Sequence, residues 1–396
     1  MIRSPAAIAD EKPWVMPAHY EIFGLFRLIA LLVLMSAAAC AGLPVRGSVG
    51  EQTIETRVDS EVARYYLANY LAGKRSDVAL DERIDRLYRG AHNGLPDRGD
   101  LKRLSEEFSV DFAALYFADQ IVRSPNNREF RKAYNHSYEH ARKLLAEGRV
   151  PEFGFSGNYE VVFVPGYLYK RHSLTGADLA APRAALKGVG FPQHFLETVE
   201  DGTVEGNAEI VRAGIRARAW AGRRLILVSV SKSGPEVALA LTRLEPGITS
   251  RIAAWVNIVG ILQGSPLADE DLLQMEEVVG RVDIDGVESL RTSRSRQRFK
   301  SFRIPENILV VNYIGIPLTG SISLLASSGF AQLRSLGPND GLSLLADLIA
   351  PRGITLAELG RDHFLLGDEI DAATIGLTVT VIRYLEQSRP PRDASS

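Results

Sequence analysis

Ser231 stands in the run Val228-Ser229-Val230-Ser231-Lys232-Ser233-Gly234, between the apolar segment Leu225–Val230 and the helically patterned segment Gly234–Leu244. A sharp strand-to-helix turn lifts its central side chain above a sheet and needs small residues two positions before and after; here those are Ser229 and Ser233. A helix N-terminus just beyond the serine would direct positive potential at the hydroxyl. That combination suits a nucleophile; the competing reading is a serine-rich strand end that only caps the helix. A nucleophilic serine needs a base. Of the seven histidines (His19, His92, His136, His140, His172, His194 and His363), only His363 follows Ser231, in Leu359-Gly360-Arg361-Asp362-His363-Phe364. A different chemistry is suggested by His136-Ser137-Tyr138-Glu139-His140, whose i, i+4 histidines could share a helix face around zinc. It would need a third ligand, and only undistinguished carboxylates lie downstream. No metal is therefore expected. The one cysteine, Cys40, excludes a disulfide framework and a cysteine-based zinc site.

The elements that would carry these residues alternate. Tyr159–Val164 (YEVVFV) reads as a buried strand ending in Pro165-Gly166. A helical stretch around Asp178–Lys187 precedes a second strand at His194–Val199, and an amphipathic helix at roughly Asn207–Ala221 precedes the strand Leu225–Val230. The helix Gly234–Leu244 carries Pro235 in its first turn, where the missing N–H costs nothing. Apolar strands follow at Ala253–Ile261, Ile308–Ile316 and Ile354–Leu359, and a helix at Ala372–Glu386 closes the series. Apolar strands alternating with helices predict an α/β fold with a mostly parallel sheet covered on both faces. Before it, Asp59 to about Gly148 is helical, with Phe108, Phe112 and Tyr116, then Phe130, Tyr134 and Tyr138, at i, i+4, i+8. These stripes are expected to be core packing rather than a ligand-stacking platform.

Across 396 residues, 46% hydrophobic and 24% charged, the composition excludes a disordered, collagen-like or multi-span membrane chain. Lys+Arg 46 against Asp+Glu 48 leaves −2, so no global charge draws the protein to nucleic acid. Leu28–Ala39 is an apolar run of 12 residues behind Arg27, too short to span a bilayer and of signal-peptide size. It ends in small residues followed by Cys40, and it resembles a bacterial lipoprotein signal, although Ala37 stands where leucine is more usual. That resemblance implies lipid attachment at Cys40 and, with Ala41 rather than aspartate next, the outer membrane facing the periplasm in a Gram-negative cell. The alternative is an ordinary signal peptide with a chance cysteine, and Met16 is an alternative start. The expected organisation is a signal peptide over 1–39, a tether over 40–58, a helical region over 59–150, an α/β domain over 151–388 and a disordered tail over 389–396.

The strand–Ser231–helix pattern resembles the nucleophile elbow of the α/β-hydrolase family, lipase-like branch, with serines where Gly-x-Ser-x-Gly has glycines. The resemblance covers about Tyr159–Glu386. In that family the triad runs serine, acid, histidine along the chain, which implies His363 as the base. Gly337-Pro338-Asn339-Asp340-Gly341-Leu342 resembles the Asn-Asp-Gly-Leu segment carrying the triad aspartate of bacterial lipases, which implies Asp340. Asp347 and Glu358 are rivals, and Asp362 is poorly placed beside the histidine. The match implies an oxyanion hole from the N–H groups of Lys232 and of Tyr167, in Pro165-Gly166-Tyr167 where lipases carry His-Gly-x. Weak support comes from Trp255–Ala268, which holds a Gly-Ser-Pro turn of a kind that recurs in lipases.

A cap or lid is expected at about 265–305. Its basic residues Arg291, Arg294, Arg296, Arg298, Lys300 and Arg303 are read as a solvated helix face, with anionic head groups or acidic substrates as the alternative partners. The implied protein is an envelope serine esterase or lipase-like hydrolase acting on an acyl-ester or lipid-like substrate without a cofactor. The alternatives are a non-catalytic lipoprotein using the fold as a binding module, with 59–148 as its partner surface, and an acyltransferase.

Overall fold

A computed structural model describes residues 42–90, 94–150, 156–270, 284–367 and 369–387. Cys40 and the signal-like run, the middle of the expected lid and the tail lie outside the described residues.

Two strands, β1 (Leu43–Val49) and β2 (Gln52–Val58), form an antiparallel hairpin. The helices of nine or more residues are α1 (Val78–Gly90), α2 (Arg98–Glu107), α3 (Val110–Arg123), α4 (Pro125–Ala146), α5 (Ala180–Gly188), α6 (Val204–Arg218), α7 (Ser233–Arg243), α8 (Thr292–Ser301), α9 (Leu324–Leu333) and α10 (Ile370–Gln387). The strands β3 (Tyr159–Val164), β4 (Gln193–Phe195), β5 (Arg224–Val230), β6 (Ile252–Ile258), β7 (Leu309–Ile316) and β8 (Ile354–Leu359) make a wholly parallel sheet of order β4-β3-β5-β6-β7-β8. This is an α/β architecture with a parallel sheet, as the alternation of strands and helices predicts.

Both faces are buried, which is why these strands read as almost unbroken apolar runs. Val162, Val164, Leu225, Leu227 and Trp255 point to one side, against Ala208, Val211, Val237 and Leu241 of α6 and α7. Val161, Phe163, Ile226, Val228 and Leu356 point to the other, with Phe130 and Tyr134 of α4 and Ile375 and Ile382 of α10. The α4–α10 crossing is close enough to require glycine: a Cβ on Gly376 would lie 2.8 Å from Cα of Tyr138. The two aromatic stripes are core packing, since Phe112, Tyr116, Phe130 and Tyr134 are all buried.

Three expectations need correction. The second sheet strand is shorter than expected, because the Asn207 side chain bonds both N–H and C=O of Val199 and takes that chain away from β3. The tether over 40–58 is not one: from Leu43 it is the β1–β2 hairpin, whose Val45, Val49 and Val58 are buried. Those strands hide few side chains, so their apolar pattern is thin. Nor is 59–150 a separate layer. Its Phe112, Leu115 and Phe117 share one core with the hairpin and with Ile314, Ile316 and Ala357 of β7 and β8. Polar ties cross the same seam: Gln52 brackets β8 by donating to Ala357 O and accepting from Leu359 N–H, and Arg131 meets Glu358 at 2.8 Å.

Candidate active site

Ser231 follows the last residue of β5 and takes φ +55°, an uncommon region for a non-glycine residue. The strain is held by its surroundings. Its N–H donates to Ile258 O at 3.0 Å, and its carbonyl accepts from Gly234 N–H at 3.0 Å and Ile261 N–H at 3.1 Å. The flanking serines, standing where glycine was the family's usual residue, both use their hydroxyls. Ser233 Oγ accepts from Val230 N–H at 2.8 Å and donates to Val164 O at 2.9 Å, and Ser229 Oγ accepts from the Trp255 indole at 2.8 Å. Among the described residues six non-glycine residues have positive φ, and four of them, Leu168, Leu179, Ser231 and Leu365, line one cleft. Such clustering is what strain stored at a site produces.

The turn after β8 brings His363 over the elbow, with Nε2 2.9 Å from Ser231 Oγ and Nδ1 2.6 Å from Asp340 Oδ2. The other oxygen of Asp340 accepts from the N–H groups of Leu342 (2.9 Å) and Ser343 (2.8 Å), while Asp340 O accepts from His363 N–H at 2.8 Å. The Asp340 and His363 side chains are both buried. A carboxylate on Nδ1 assigns the ring proton there and leaves Nε2 to accept from the serine hydroxyl. The rival acids are engaged elsewhere. Asp347 pairs with Arg98 at 3.0 Å, Glu358 with Arg131, and Asp362 accepts from Ser323 and Phe364 N–H.

Lys232 is the N-cap of α7, so its N–H is one of those at the helix start for which no intrahelical acceptor exists. Its side chain turns away into a fully buried ion pair with Glu236, which also accepts from Asn207 at 2.9 Å. Burial pushes the Glu236 carboxyl up, against the opposing pull of Lys232. Tyr167 lines the cleft beside Ser231. Before it, Gly166 runs so close to the elbow that a Cβ there would lie 3.1 Å from Val230 O.

The cleft measures about 530 Å³ and is walled by 167–182 and 363–377, with Leu179, Pro182, Ile258, Leu325, Phe364 and Leu377 among its apolar lining. Among the described residues no Asp, Glu, Lys or Arg lines it. Leu174 and Leu324, next in the chain to the lining residues Thr175 and Leu325, are 87% and 91% exposed. The described parts of the expected lid, 265–270 and 284–305, do not line the cleft; the later part meets the start of α6, where Ser289 Oγ accepts from Val204 N–H and Arg298 meets Glu205. Nor is the basic run simply a solvated face, since Arg298 is buried and Arg291 and Arg296 pair with Glu288 and Asp347. His136 and His140 are exposed on α4 and Glu139 pairs with Arg142; among the described residues no group of three or more potential metal ligands gathers.

The chain matches no protein-family model and no curated protein. Solved structures similar to it include a metagenomic carboxyl esterase, 22% identical over 59% of this chain and 76% of that one, with a TM-score of 0.47. The mature form of a Bacillus licheniformis lipase is 23% identical over 52% and 85% of the two chains, with a TM-score of 0.44. Lipase 1 from Pelosinus fermentans is 12% identical over 59% and 100%, with a TM-score of 0.41.

Proposed function

We propose that the protein is a serine hydrolase of carboxylic esters with an apolar acyl group. The observation that carries this reading is a continuous Asp340–His363–Ser231 hydrogen-bond chain that runs from a buried acid into a cleft whose described lining is largely apolar. His363 Nε2 takes the Ser231 proton as Oγ bonds to the ester carbonyl carbon, and Asp340 steadies the imidazolium that results. The Lys232 and Tyr167 N–H groups receive the carbonyl oxygen as it gains charge. His363 then hands the proton to the departing alkoxide, leaving an acyl-Ser231 and a free alcohol. Water, deprotonated by the same ring, attacks the acyl carbon and releases the acid and the serine hydroxyl. The apolar lining favours acyl chains over charged groups, because a charge there would lose its hydration without finding a partner.

A fluorophosphonate added to the full chain in detergent tests the reading. One adduct on Ser231, absent from His363→Ala, is expected. A folded protein that takes no adduct would overturn it in favour of a binding module. Lipid attachment at Cys40, and with it an envelope location, is a separate half of the proposal. Incorporation of labelled palmitate that disappears in Cys40→Ser tests it.

A further inference from the structure

A row of polar side chains crosses the largely apolar sheet at one level. Ser229 pairs in register with Asn257, Asn257 with Asn312, and Asn312 with Thr355, and all four are buried. The positions two residues earlier on β5, β6 and β7 are Leu227, Trp255 and Val310, so apolar side chains fit this face of the sheet. Polar groups cost more to bury there and need a compensating partner. Their partners show what the row does. Asn257 Nδ2 donates to Asn312 Oδ1 at 3.3 Å and to Leu348 O at 3.1 Å. Asn312 Oδ1 also accepts from Ala350 N–H at 2.9 Å, and its Nδ2 donates to Ala350 O at 3.3 Å. The amide orientations are fixed by these partners, since Ala350 N–H can only donate and Leu348 O can only accept.

The chain gripped in this way, 348–350, is irregular backbone with no ladder of its own. It lies between the turn that carries Asp340 and the strand β8 that delivers His363. At its other side the row reaches the turn after the nucleophile. A Cβ on Gly234, in the first turn of α7, would lie 2.7 Å from Asn257 Oδ1, and Gly260 approaches the same amide next to Ile261, whose N–H holds Ser231 O. One pair of asparagines therefore links the turn that follows the nucleophile to the chain that runs from the acid turn to β8.

We propose that Asn257 and Asn312 are positioning residues that set Asp340 against His363, an inference that rests on the triad reading above. Neither touches the cleft, so they act through the acid turn and leave substrate contacts alone. Displacing a reacting group by about 1 Å can cost on the order of 100-fold in rate. Shortening either asparagine frees the 348–350 backbone and lets Asp340 drift.

The test is a mutant cycle on a soluble p-nitrophenyl ester, with Asn312→Ser and Asn257→Ser each made in the native chain and in Asp340→Asn. Serine keeps a polar group in the row and spares the fold where leucine would not. In the native chain each change is expected to lower kcat by about 10- to 100-fold with KM unchanged. In Asp340→Asn, where there is no carboxylate left to position, the same change should lower kcat by less than about 2-fold, the non-additivity expected of residues acting as one unit. The downfield proton resonance of His363 Nδ1–H should shift in both single variants. A loss repeated in full in Asp340→Asn, or an unchanged kcat in the native chain, overturns the proposal. An Asp340→Asn chain as fast as the native one would instead bring down the triad reading itself, and the positioning role with it.

Discussion

Asp340 and Asp111 are both buried carboxylates held by backbone N–H groups, and the two regions around them are built for different ends. Asp340 faces an imidazole, and its proton relay leads out to a hydroxyl at the edge of a cleft. Asp111, at the start of α3, faces a second carboxylate. It accepts from Asp59 and Thr319 N–H, while Asp59 accepts from Asp111 N–H and from Arg334. Burial first, and the Asp59 charge second, push the Asp111 carboxyl up to about 7. One carboxylate is hydrogen-bonded to an imidazole that reaches the cleft, and the other joins the hairpin–helix region to the chain after β7. Burial and backbone hydrogen bonds do not by themselves mark a catalytic acid; the partner that can exchange a proton does.

The sharpest break of this comparison is removal of the nucleophile. Ser231→Ala should lower kcat by on the order of 10⁴-fold or more and leave the melting temperature within a few degrees of native, since only one hydroxyl is lost. A residual rate near native would mean that the cleft's chemistry lies elsewhere. Next in size are the acids themselves. Asp340→Asn, which presents the wrong hydrogen-bonding group to Nδ1, should cost about 10⁴-fold in kcat. Asp111→Asn should leave kcat untouched. Equal losses from the two would erase the distinction drawn here, and steady-state kinetics on one ester reads both.

How much of this was legible in the sequence follows from what each region hides. The sheet strands bury both faces, so β5, β7 and β8 stood out as apolar runs, and β8 is found at the expected Ile354–Leu359. Ser231 is legible from the crowding of a strand-to-helix turn, whereas His363 and Asp340 follow from the triad order and the Asn-Asp-Gly-Leu segment that the resemblance to lipases implies. The structure brings those three together. The hairpin was missed because a strand with one covered face needs only Val45 and Val49 inside, a signal too thin to separate from polar coil. The Asn257–Asn312 pair was illegible for a different reason. An asparagine inside an apolar strand looks like a lapse in the pattern until its partner, 55 residues away, is known. The only hint was the break in the apolar runs at AAWVNI and LVVNYI.

Smaller is the effect of pH through Asp111, and its sign is fixed. The native carboxyl binds its proton up to about 7, against 3.8 for the ordinary group, so the folded state holds the proton more tightly than the unfolded one. That contribution to stability is complete below about pH 4 and fades as pH rises through 7. The difference in unfolding free energy between the native chain and Asp111→Asn should therefore shrink between pH 4 and pH 8. Urea unfolding at the two pH values measures it. The same comparison for kcat should show no such trend, which keeps the joint and the catalytic end apart.

The smallest effect concerns the elbow's departure from glycine. Ser233→Gly would give the family's usual residue at that position, but it removes the hydroxyl that accepts from Val230 N–H and donates to Val164 O. Both backbone groups are buried and would lose a partner, so the expected cost is about 1–2 kcal/mol of stability. Ser233 touches neither His363 nor the cleft, and Ser231 keeps its own bonds to Ile258, Gly234 and Ile261. The kcat should therefore hold while the urea midpoint falls. A variant that gains stability would show that serine is a blemish here rather than a substitute with its own hydrogen bonds. One that loses kcat with its midpoint intact would show that the Ser233 hydroxyl supports the strained φ of Ser231, and that side chains as well as backbone stiffen this turn.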